Sequence, residues 1–121
     1  MAIKRVLIVD DSPTERAAFQ EILSDAGYET ILAASGEEGI ALAKSEKPDA
    51  IIMDIVMPGL NGFQATRQLS RDEATRAIPV IMCTTKGQET DKIWGMRQGA
   101  IAYLVKPIDP AALLDALKQL G

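Results

Sequence analysis

Five polar residues are spaced through this chain where they could do chemistry. They are Asp10 and Asp11 in "LIVDDS", Asp54 in "IIMDIVMPGLNG", Thr84 in "IMCTT" and Lys106 in "AYLVKP". Each follows or ends a short apolar run, and a lone charge is costly to bury there unless something neutralises it. The chain has no histidine and a single cysteine, Cys83. That excludes histidine-based triads, imidazole metal sites, an internal disulfide and a CxxC pair. Carboxylates, hydroxyls and amines must carry any reaction. If the three carboxylates meet, each pair repels: two like charges about 4 Å apart cost about 4 kcal/mol at an effective dielectric of about 20. Either some are protonated or a cation sits among them. Hard oxygen donors without nitrogen or sulfur suit Mg²⁺. With such an ion and an ammonium to neutralise phosphoryl oxygens, one carboxylate can attack phosphorus, and Asp54 is the candidate.

These residues can meet only if the elements carrying them converge. Near-continuous apolar runs at 5–10, 49–54, 79–84 and 102–106 read as strands covered on both faces, and the more mixed "YETILAA" (28–34) reads as an edge strand. Helices lie between them. Ser12-Pro13-Thr14-Glu15 is an S-x-x-E capping box with proline at the first helical position, followed by a stripe of Phe19, Ile22, Leu23 and Ala26 and a stop at Gly27. Ser35 to Glu38 repeats the box ahead of Ile40, Leu42 and Ala43. Asn61 caps a third helix through Leu69, residues 87–98 form a fourth ended by Gly99, and Asp109-Pro110 opens a fifth with Leu113, Leu114, Leu117 and Leu120 inward. Five β-α units predict an α/β fold: a single five-stranded parallel sheet, flavodoxin-like, strand order 2-1-3-4-5, helices on both faces. In that fold the carboxyl ends of all strands share one edge, and strands 1 and 3 flank the crevice where such sheets bind ligands.

The totals agree with this reading. A chain of 121 residues suits one domain, taken as 1–121, and 47% apolar with 25% charged residues is the balance of a folded protein, not a disordered one. A net charge of −4 argues against non-specific nucleic-acid binding. No apolar run is long enough to span a membrane, and the first ten residues lack a signal-peptide pattern, so a cytoplasmic location is expected. Met53, Met57, Met82 and Cys83 read as core filling. Tyr103 taken alone reads as a half-buried strand aromatic. The Lys106-Pro107 pair permits a cis bond that would aim the lysine back over the sheet edge. The fourth helix has Gly95 inside it and few apolar anchors beyond Ile93, Trp94 and Met96, so it is expected to be loosely held.

The four motifs, in this order and spacing, resemble the response-regulator receiver domain over essentially the whole chain. The resemblance implies that Asp54 accepts a phosphoryl group from a phosphohistidine on a partner kinase. It implies Mg²⁺ held by Asp11, Asp54 and the backbone carbonyl of Val56, with Asp10 assisting through water. It further implies that Lys106 contacts the phosphoryl oxygens and Thr84 swings its hydroxyl onto them. Tyr103 would then turn inward, remodelling the surface of the fourth helix, fifth strand and fifth helix for a protein target. Nothing follows the fifth helix, so the output is expected to be protein binding by a monomer or a phosphorylation-dependent dimer, with no nucleic acid or membrane as partner. The stretches "GLNGFQATRQL" and "TTKGQETDKIWGMRQGA" resemble receivers of type IV pilus, twitching-motility chemosensory systems.

Three positions depart from the common receiver pattern. Thr85 stands where a smaller residue is frequent, Val56 offers no polar side chain to position a water, and Lys86 adds a cation beside the pocket. They predict slow self-dephosphorylation. Among competing readings, an aspartate-nucleophile phosphatase wants a second acid where Val56 stands. A nucleotide- or flavin-binding domain wants a glycine-rich loop where "DDSPTE" stands. A receiver acting as a phosphate sink, without an output of its own, remains open.

Overall fold

The protein's computed structural model describes residues 2–121. The elements alternate strictly: β1 (Arg5–Val9), α1 (Pro13–Asp25), β2 (Glu29–Ala33), α2 (Gly36–Glu46), β3 (Ala50–Met53), α3 (Gly62–Arg71), β4 (Val80–Thr84), α4 (Glu89–Gln98), β5 (Ala102–Val105) and α5 (Pro110–Leu120). All strand pairs are parallel and the order is β2-β1-β3-β4-β5. The predicted architecture and order hold, with β2 at an edge.

Strand periodicity explains the two cores. Val6, Ile8, Ala50, Ile52, Ile81 and Cys83 point to one face, where Phe19 and Leu23 of α1 and Leu113 and Leu117 of α5 cover them. Leu7, Val9, Ile51, Met53 and Val80 point to the other, against Ala43 of α2 and Ala65 and Leu69 of α3. Strands sandwiched this way need no polar face, which is why β1 and β3 read as unbroken apolar runs. Met53, Met57, Met82 and Cys83 are all buried, as expected.

The helix starts differ in detail from their sequence signatures. Asn61 and Gln64 form a complete reciprocal capping box at α3. At α1 and α2 only half of the expected box forms. Ser12 and Ser35 accept the N–H groups of Glu15 and Glu38 at 3.3 and 3.1 Å, but neither glutamate returns to its cap residue. Glu38 accepts from the Ala34 N–H, and Glu15 accepts from Lys106. Ala26 is an exposed C-cap and drops out of the α1 stripe, while Gly27 beyond it takes φ +93°, the left-handed stop a glycine tolerates. Helix α3 runs two residues past Leu69, and α4 begins at Glu89 rather than at 87.

One glycine is indispensable to the site. A Cβ on Gly62 would stand 2.1 Å from the Asp54 carbonyl oxygen and 2.7 Å from Ile55 Cα. The first residue of α3 thus lies directly on the backbone that presents Asp54, and its N–H donates to the Ile55 carbonyl at 2.9 Å.

Candidate functional site

Asp10 follows the last residue of β1, Asp54 follows β3, Thr84 ends β4 and Lys106 follows β5, so parallel topology alone delivers all four to one sheet edge. The Lys106 ammonium is the hub. It donates to Asp10 Oδ2 at 3.0 Å, to Glu15 Oε2 at 2.7 Å and to Asp54 Oδ2 at 3.3 Å. The remaining aspartate oxygens are held by backbone: Asp10 Oδ1 accepts the Ser12 N–H at 2.9 Å and Asp54 Oδ1 accepts the Ile55 N–H at 2.7 Å. Asp10 is 1% exposed, Asp54 6%, and the Lys106 side chain 8%. The Lys106–Pro107 peptide bond is cis.

Glu15 is the residue that sequence reasoning missed. The S-x-x-E pattern marks it as a capping residue, yet its carboxylate makes the shortest contact with Lys106. A signal was available: position 15 lies in the first turn of the helix that leaves Asp10 directly, so its side chain can reach back over the sheet edge. Asp11, by contrast, is exposed, and it lies outside the group that Asp10, Glu15 and Asp54 form, whose oxygens are all within 4.8 Å of one another. Val56 sits two residues beyond Asp54 in the following loop, its side chain exposed to solvent.

Thr84 and Tyr103 meet at one peptide. The Lys86 N–H donates to Thr84 Oγ1 at 3.2 Å, and the Tyr103 hydroxyl donates to the Lys86 carbonyl. Tyr103 is buried here among Ile55, Met82, Ala100 and Phe63 rather than turned out. The Lys86 ammonium pairs loosely with Asp91 at 3.8 Å, and Thr85 is exposed. Ile93, Trp94 and Met96 do not anchor α4 as the sequence suggested. They are 44–48% exposed, and the one buried residue of the helix is Gly95, where a Cβ would meet Met82 Sδ at 2.7 Å and the Tyr103 ring at 3.0 Å.

The electrostatics follow from burial. Desolvation pushes the Asp54 carboxyl above its ordinary value; the Lys106 charge opposes this and the Asp10 charge adds to it. For Lys106 burial acts downward, but the hydrogen bonds it donates to Glu15 and Asp10 and the nearby Asp54 and Asp10 charges outweigh it and hold the ammonium above lysine's usual value. Burial, with the Asp91 and Asp54 charges, pushes the Tyr103 phenol up to about 12. Three carboxyl groups thus share one ammonium, and every ligand atom they offer is a hard oxygen. In donor type and charge that set fits Mg²⁺.

The profile of the response regulator receiver domain matches residues 6–118. This chain belongs to the response-regulator receiver family. A curated relative, protein PilH of Pseudomonas aeruginosa, is 59% identical over 113 residues, 93% of each chain. Among solved structures, the chemotaxis protein CheY4 of Vibrio cholerae superposes with a TM-score of 0.91 at 37% identity, covering 99% of this chain and 100% of that one. The receiver domain of the sensor histidine kinase PA1611 of Pseudomonas aeruginosa gives 0.89 at 31% identity over 98% of each chain, and it holds a magnesium ion in its active-site cleft. The receiver is therefore a phosphorelay signalling domain, and its acidic recess lies at the carboxyl edge of a CheY-like sheet.

Proposed function

We propose that this receiver takes a phosphoryl group from a histidine kinase onto Asp54 and relays the change to a protein partner. The observation that carries the reading is the Lys106 ammonium joined to the buried Asp10 and Asp54 carboxylates. Asp54 Oδ1 is tied to the Ile55 N–H, so Oδ2, facing Lys106, is the oxygen left to attack phosphorus. A new O–P bond forms as the P–N bond to the kinase imidazole breaks, the electron pair leaving on that nitrogen. Asp54, Asp11 and the Val56 carbonyl would hold magnesium, with Asp10 assisting through water. When bound, the ion supplies positive charge against the phosphoryl oxygens. Lys106 supplies a second positive charge, and the Thr84 hydroxyl, now an acceptor for the Lys86 N–H, turns to donate to the phosphoryl group.

Because Tyr103 is already inward, the element left to respond is the Thr84–Lys86–Tyr103 connection and the helix above it. That helix, the neighbouring strand and the turn between them present Ile93, Met96, Ile101 and Val105 to solvent, an apolar surface suited to a protein target. The sequence likeness to type IV pilus receivers, together with the PilH relative, supports reading this signalling as chemotaxis-like control of twitching motility. The test is incubation with Mg²⁺ and acetyl phosphate followed by intact mass. Wild-type protein gains one phosphoryl group and Asp54→Ala gains none; equal gain in both proteins defeats the reading. Phosphotransfer from the kinase of a pilus chemosensory system should outrun transfer from unrelated kinases, and equal rates would remove the motility assignment.

A further inference from the structure

We propose that Glu15 is a positioning residue for phosphoryl transfer: its carboxylate keeps the Lys106 ammonium on the α1 side of the recess and must release it before Lys106 can serve a phosphoryl group on Asp54. The inference rests on the reading of Asp54 as phosphoacceptor. An ammonium has three N–H donors, and here each has a carboxylate partner. The contact to Glu15 is the shortest, at 2.7 Å, and the contact to Asp54 the longest, at 3.3 Å. Lys106 is thus drawn toward α1 and has no donor to spare for an arriving phosphoryl oxygen.

The local hydrogen bonding explains why Glu15 is available for this role. In a capping box the glutamate accepts the N–H of the cap residue. Here Asp10 Oδ1 accepts the Ser12 N–H, leaving the Glu15 carboxylate free to reach Lys106. Of the three partners Glu15 is also the one that can let go. Asp10 is buried and would be left as an unpaired charge. Asp54 keeps its charge until its oxygen bonds to phosphorus, so its hold on Lys106 persists while the phosphoryl group arrives. The Glu15 side chain is 40% exposed and can turn into water at little cost. As an Asp54 oxygen bonds to phosphorus and the donor's own bond to phosphorus breaks with its electron pair on the leaving group, the N–H given up by Glu15 passes to a phosphoryl oxygen. Glu15 therefore restrains phosphorylation, acting through Lys106.

Phosphorylation by acetyl phosphate at saturating Mg²⁺ tests this, with acetate as leaving group and time courses read by intact mass. The proteins are wild type, Glu15→Gln and Glu15→Asp, each made both with Lys106 intact and with Lys106→Met. Aspartate keeps the charge but is one methylene too short for the ion pair. Both single variants should raise the maximal rate about two- to tenfold, the range of a partly exposed charge-assisted contact, with little change in half-saturating acetyl phosphate. Neither should change the rate in the Lys106→Met background. An unchanged rate in Glu15→Gln overturns the inference. So does a rise that Glu15→Asp does not share, which would mean simple repulsion of the anionic donor, or an equal rise without Lys106. Wild-type protein that takes no phosphoryl group at all overturns the Asp54 reading instead, and this inference with it.

Discussion

Asp54 is held where its ionisation is unfavourable, and that has a measurable sign. Burial raises its carboxyl above the ordinary value of 3.8, only partly offset by Lys106. A raised folded-state value means its contribution to stability is complete below 3.8 and is lost as pH rises through the folded value. Asp54→Asn should therefore melt several degrees higher than wild type at pH 7, and the gain should vanish as pH falls below the ordinary aspartate value; thermal melts across pH check this. Lys106→Ala has the opposite sign. It leaves Asp10 and Asp54 buried without their cation and should cost about 3 kcal/mol in denaturant titrations. Val56, exposed in the loop after Asp54, offers no polar side chain to position an attacking water, and Thr85 beside Thr84 narrows access to the phosphoryl group. The acyl phosphate should therefore persist for minutes, and loss within seconds in purified protein would contradict this.

At the level of elements, α4 is where sequence and structure part most. Its Gly95 looks like a helix-weakening residue, so Gly95→Ala should gain about 1 kcal/mol from propensity alone. In the structure Gly95 is the contact that lets α4 lie on Met82 and Tyr103. A methyl group there must displace a buried aromatic ring, and overpacking of this kind costs about 1–3 kcal/mol. The expected net result is destabilisation, read as a lower urea midpoint; a higher midpoint would restore the propensity argument. With Gly95 as its one buried residue, α4 should also exchange amide hydrogens well before β1 and β3, whose side chains are almost wholly buried. Equal protection would argue against α4 as the responsive element. The sequence misled here because Ile93, Trp94 and Met96 cluster in one stretch without marking an inward face. Apolar spacing assigns a helix face only when a contrasting polar face exists.

For the whole molecule, the site exists only when β1, β3, β4 and β5 are assembled in order, since each contributes at its carboxyl end. Ligand binding and global stability are therefore linked. Magnesium at a hundredfold above its dissociation constant should add about 2.7 kcal/mol and raise the melting temperature, with chelator reversing it. No shift at saturating magnesium would mean that the recess does not hold the ion. Much of this was legible in the sequence. Unbroken apolar runs separated by capped helices admit one parallel sheet of this length, and the right-handed crossover rule then sends Asp10, Asp54, Thr84 and Lys106 to one edge whatever their side chains do. What tertiary structure decided is which groups touch: Glu15 on Lys106 in place of a capping bond, Asp11 outside the carboxylate cluster, Tyr103 already inward and Gly95 as a packing contact. Topology follows from the order of elements, which sequence patterns carry. Contacts depend on distances of a few ångströms and on competition among neighbouring donors and acceptors, which exist only once the chain has packed.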